Sequence, residues 1–167
     1  MEYSPPIVPW DELYSAIGKI TLAINHCNWL VFEAMRITLQ MEREEATCIF
    51  YSLKSDSAQR DLATAVLSDR LTEMGEHDLL KSFKDEVTTI GKLSGIRNGF
   101  IHTPWSGTTD PDNLFCCAHG AKPHPKLDFK DPISQAKRLV SDLWESSHRL
   151  DALCDRLEQL PSLRKSA

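Results

Sequence analysis

Apolar residues recur along this chain at helical rather than strand spacing. Leu13, Ile17, Ile20, Ile24, Cys27, Val31, Ala34, Thr38 and Met41 step alternately by four and three residues, as in a helix packed along a bundle seam. Leu22, Trp29, Phe32 and Leu39 lie off that seam. This helix therefore has several neighbours or offers a face to a second copy of the chain. A short helix is expected near Glu44–Ser52. The stretch SLKSDSAQRDLATAVL predicts another, with Ser55 or Asp56 as N-cap and Ala58, Leu62, Ala65 and Val66 on its apolar side. After a turn at Gly75, a long helix is expected from Asp78 to about His102, with Leu80, Phe83, Val87, Ile90 and Ile101 along one side.

Prolines set the boundaries. They fall at 5, 6 and 9, at 104, 111, 123, 125 and 132, and at 161, so helices can run through 10–103 and 132–160. Pro104 ends the first block, because proline disfavours helical geometry at the residue before it. Residues 104–131 read as an irregular insert containing a short apolar run, LFCCA, that can close as a small hairpin. The last helix begins after Asp131 with Pro132 in its first position. It repeats the four–three rhythm at Ala136, Val140, Leu143, Ser147, Leu150, Cys154 and Leu157. The pattern predicts a single all-α domain, a helical bundle with the insert before its last helix.

Composition narrows the function. The chain has 167 residues and a formal net charge of -5, enough length for one core but no broadly basic face for a non-specific polyanion binder. No apolar run approaches a membrane span, and the acidic, proline-rich start has no leader pattern, so the expectation is a cytoplasmic protein with no membrane association. Five cysteines without a CxxC read as free thiols, with Cys27 and Cys154 at core positions. Gly-rich phosphate loops, HExxH and GxSxG are all missing, and nothing calls for a cofactor. Cys116, Cys117, His119 and His124 carry metal-capable atoms, but their spacing matches no zinc pattern, so a surface loop and no metal site are expected. Lys54, Lys81, Lys84 and Lys92 are scattered among acids and read as solvated.

The stretch GIRNGFIHTPW, residues 95–105, breaks the apolar pattern. At 100° per residue from Phe83, Arg97 falls about 40° to one side and Asn98 about 60° to the other, with His102 near 100°. Arg97 is thus expected to point inward, and it cannot shed its charge. It needs either an acid on a neighbouring helix or an anionic ligand. Histidine, at 102, is the one residue type here whose ordinary chemistry suits proton transfer near neutral pH. Gly95 and Gly99 let another group approach the helix closely.

RNGFIH resembles the motif of HEPN domains, an arginine and a histidine four to six residues apart near the end of a long helix, which implies an up-and-down helical bundle. The layout is similar across most of the chain, including an arginine after small residues in SAQR. Many proteins of that family are metal-independent ribonucleases that act as dimers, and some belong to toxin–antitoxin or defence systems; others only bind. The resemblance implies a homodimer with an RNA or nucleotide ligand and an antitoxin or other protein partner. It makes His102 the general acid or base at a ribose 2′-hydroxyl, Arg97 the cation on the phosphate, and Asn98 a positioning group. Where some toxin-type members carry a modifiable tyrosine two residues after the histidine, this chain has Pro104. Arg60 is a further candidate for substrate binding, although an ion-paired structural role is favoured. Asn28 and Glu33 are candidate partners of Arg97, Glu33 chiefly at a dimer interface, where it joins Arg60 as a candidate for substrate binding.

Overall fold

Burial along α1 (Trp10–Leu39) organises the molecule. Leu13, Ile20, Ile24, Cys27, Val31, Ala34 and Thr38 of the predicted seam are buried, each large aliphatic side chain contributing about 1.5–3 kcal/mol when removed from water. The computed structural model describes residues 8–108, 110, 114–118 and 124–163. Within them follow α2 (Arg43–Phe50), α3 (Asp56–Glu73), α4 (His77–His102), a two-stranded antiparallel ribbon of β1 (Trp105–Gly107) and β2 (Phe115–Cys117), α5 (Pro132–Gln159) and a short 3-10 turn at Pro161–Leu163. The fold is an all-α bundle, as the periodicity predicts, and the insert contributes the ribbon. Among the described residues, no helix is long and apolar enough to cross a membrane.

Helix ends follow local chemistry. Ser55, rather than Asp56, caps α3 by accepting from the Ala58 N–H at 3.2 Å. Asp131 caps α5 by accepting from the Ser134 N–H at 3.2 Å, with Pro132 just inside. The turn between α3 and α4 needs a left-handed residue, and Gly75 supplies it at φ 76°.

The helices alternate in direction once the short α2 is counted. Arg60 of α3 meets Asn28 of α1 at one level, while Met74 and Gln40 both reach Ser162 at the other. So α1 and α3 run the same way. The short α2 makes this possible by carrying the chain back along α1, its Phe50 ring 5.5 Å from that of Phe32. α4 then runs against both α3 and α5, pairing Arg97 with Asp56 and Glu86 with Arg149.

On α3 the buried stripe is Arg60, Ala63, Leu67 and Leu71, not the expected Ala58, Leu62, Ala65 and Val66; Ala65 is exposed. A charged residue at the head of the stripe hides it from a hydrophobicity pattern.

The insert closes one end of the bundle through aromatic contacts. Trp105 donates its indole N–H to the Phe100 carbonyl at 2.9 Å and packs against Phe100, Phe115 and Phe129. Phe115 meets Trp10 edge-on at 5.3 Å. The end of α4 is thereby tied to the start of α1.

Candidate site at the C-terminal end of α4

Arg97 points into the bundle, as its place on the helix predicts, and a carboxylate meets it there. Its Nη2 donates to Asp56 Oδ2 at 2.6 Å, the two side chains being 19% and 39% exposed. Asp56 is the first residue of α3, where the helix dipole favours negative charge. One turn further along α3, Arg60 is buried and donates from Nη1 to Asn28 Oδ1 at 3.2 Å. Burial pushes the Arg60 pKa down. The carboxylates of Asp56 and Asp61 raise it, and the charge of Arg97 lowers it. Both guanidiniums nevertheless stay charged in any ordinary pH range. Of these two cations only Arg97 has a directly bonded carboxylate, and its Nε is buried without a partner among the described residues. Such an orphaned donor costs about 1–3 kcal/mol unless something accepts from it.

Asn98 and His102 are exposed. Ile101 belongs to the apolar side by position yet is 38% exposed. The cause is the start of α3 opposite Arg97, which leaves the final turn of α4 without that neighbour. His102 makes no side-chain hydrogen bond among the described residues. At 100° per residue, Arg97 and His102 leave α4 about 140° apart, whereas Asn98 and His102 are about 40° apart. One copy of the chain thus presents the arginine and the histidine on different sides.

Glu33 does not approach Arg97. Its buried carboxylate accepts from Arg36 Nε at 2.8 Å, and Arg43 Nη1 lies 2.8 Å from its other oxygen at an angle outside hydrogen-bond geometry. Asn28, the other candidate partner, serves Arg60 instead. The off-seam residues of α1 divide: Phe32 is buried against Phe50, while Leu22 and Trp29 are exposed. His26 stacks on Trp29 and tilts against Trp144 of α5.

The glycines beside the motif are covered by the insert. A Cβ on Gly99 would lie 2.7 Å from His124 Nδ1 and 3.1 Å from Leu127, and one on Gly95 would lie 2.5 Å from Lys126 Nζ. Close approach is therefore the reason for glycine at 99, whereas at 95 only the flexible tip of Lys126 stands in the way. Neither His124 nor Lys126 stands out in the sequence as a neighbour of this helix, because the contact spans an irregular segment. Asp56 was legible only as a helix start.

Among the described residues, no group of three or more His, Cys, Asp or Glu is placed to hold a metal ion; His119 lies outside them. Cys27 and Cys154 are buried and donate to the carbonyls of Leu143 and Leu30. Comparison with protein-family models, with curated proteins and with solved structures finds no match to this chain.

Proposed function

We propose that this chain is a HEPN-like helical module that binds RNA through its phosphates at the C-terminal end of α4. The observation that carries the reading is the pair of guanidiniums, Arg60 and Arg97, of which only Arg97 bonds a carboxylate, and a buried Arg97 donor without a partner among the described residues. A phosphate offers several acceptor oxygens to such a pair and can replace Asp56 as the acceptor. Net charge of -5 then sets the scale of the interaction. Binding is local and limited to a few phosphates rather than spread over the surface.

Exposure of His102 beside Asn98 favours a second reading, metal-independent RNA cleavage. His102 would take the proton from a ribose 2′-hydroxyl or give one to the leaving oxygen, and Arg97 would hold the phosphate as charge develops. The angle between these side chains makes a homodimer part of this reading, since two copies can bring the arginine of one and the histidine of the other to one phosphate. An antitoxin or other protein partner remains tied to the family resemblance.

The test is single-stranded RNA incubated with the protein in EDTA, with His102→Ala and Arg97→Ala alongside and light scattering for the oligomeric state. Binding without cleavage supports the module, and cleavage lost in His102→Ala with unchanged melting supports the enzyme. Absence of RNA binding, combined with a large loss of stability in Arg97→Ala, would leave the Arg97–Asp56 pair a purely structural one.

A further inference from the structure

Gly95, Asn98, Gly99 and His102 form one rhomb of the α4 surface, each three or four residues from two of the others. Side chains at such spacings are neighbours, their Cβ atoms about 5–6 Å apart. Two corners of the rhomb have no side chain of their own. Lys126 fills the Gly95 corner and His124 the Gly99 corner. The insert thereby places a lysine and a second histidine beside Asn98 and His102.

This placement is held from behind. The Lys126 carbonyl accepts from Gln135 Nε2 at 2.7 Å, and the Asp128 N–H donates to Gln135 Oε1 at 2.8 Å. One side chain near the start of α5 thus fixes the segment on both sides of Leu127, which packs against the core. The Leu127 N–H also donates to the His124 carbonyl at 3.1 Å. His124 Nδ1 accepts from the Lys126 N–H at 3.3 Å, so its neutral ring carries its proton on Nε2.

Among the described residues, no acid forms an ion pair with the lysine of this patch. From Val87 to Thr109 the sequence contains no Asp or Glu, although the chain as a whole is acidic. Lys92 stands three residues before Gly95 and is exposed. Lys126 has no carboxylate partner among the described residues. Asp128, the acid nearest to it in sequence, turns Oδ1 onto the Lys130 N–H at 3.0 Å.

We propose that His124 and Lys126 of the insert, seated on Gly99 and Gly95, form with Asn98 and His102 one phosphate-binding patch that takes an RNA phosphodiester. The proposal rests on the RNA-binding reading and extends it. RNA contacts lie on both sides of α4, with the two arginines on one side and this patch on the other. Lys126 supplies the fixed charge, while Asn98 and the two imidazoles supply hydrogen bonds to phosphate oxygens.

The experiment is fluorescence anisotropy with a fluorescein-labelled single-stranded RNA in EDTA at several salt concentrations. Lys126→Gln and His124→Gln should each weaken binding about 5- to 10-fold, and Lys126→Gln should lower the salt slope by about one. Gly99→Ala should weaken it comparably with every charge retained, because the added methyl occupies the seat of His124. Lys130→Gln, the same charge change elsewhere in the insert, should bind within about twofold of wild type, as expected where no phosphate contact is lost. If Lys126→Gln and His124→Gln bind like Lys130→Gln while Arg97→Ala binds weakly, this patch is wrong and the RNA-binding reading stands. A wild-type protein that fails to bind the RNA overturns both.

Discussion

Arg97 Nη2 and Asp56 Oδ2 meet at 2.6 Å, joining the last turns of α4 to the first residue of α3. This ion pair is partly exposed, so solvent screens it. Arg97→Ala should cost only about 1 kcal/mol in urea denaturation. Asp56→Asn should act in the opposite sense on the ligand: with the internal acceptor neutralised, RNA binding by anisotropy should tighten several-fold. Weaker binding in Asp56→Asn would make Asp56 a group that positions Arg97 rather than one that competes for it.

Arg60 offers a separation of stability from binding. It is buried with a neutral amide as its bonded partner, and a buried polar pair replaced as a whole by apolar side chains is often neutral or stabilising. Arg60→Met combined with Asn28→Leu should leave stability unchanged or raise it by about 1 kcal/mol while RNA affinity falls. Loss of both together would identify Arg60 as a structural residue.

Three glycines, Gly91, Gly95 and Gly99, follow one another at four-residue steps along α4, and they should not respond alike. A methyl on Gly91 meets nothing within 4 Å, so Gly91→Ala should stabilise the helix by about 0.5–1 kcal/mol. At Gly95 and Gly99 the same methyl collides with Lys126 and with His124 and Leu127. Thermal melting should therefore show a rise for Gly91→Ala, a smaller rise for Gly95→Ala, where only the flexible tip of Lys126 has to move aside, and a fall for Gly99→Ala.

Burial, reinforced by nearby carboxylates, raises the Cys27 thiol to about 11 and the Cys154 thiol to about 12. The folded protein keeps protons that the unfolded chain gives up above about pH 9. The stabilisation is complete below that pH and is lost as pH rises through 11 to 12, at up to about 1.4 kcal/mol per pH unit for each thiol. Urea melts between pH 8 and 11 should show this decline, and Cys27→Ala with Cys154→Ala should flatten it. Native protein should leave both thiols unmodified by a thiol reagent that reaches the exposed Cys48.

What the sequence determined by itself was local or periodic. Helix spacing gave α1 and α5, proline and cap chemistry gave their limits, and the wheel correctly turned Arg97 inward. These follow from interactions a few residues apart, which the chain carries wherever it goes. Tertiary structure decided the rest. Arg60 heads a buried stripe because Asn28 happens to face it, a fact that no hydrophobicity pattern encodes. Ile101 stays exposed because α3 starts opposite Arg97, so a position that is apolar by period has no neighbour there. Asp56 reached Arg97, and Glu33 did not, only because α2 folds the chain back and sets α3 parallel to α1. Gly95 and Gly99 announced that something would lie close to α4. That it would be Lys126 and His124 depended on how an irregular insert crosses the end of the bundle, and irregular backbone has no repeating pattern from which its path can be read.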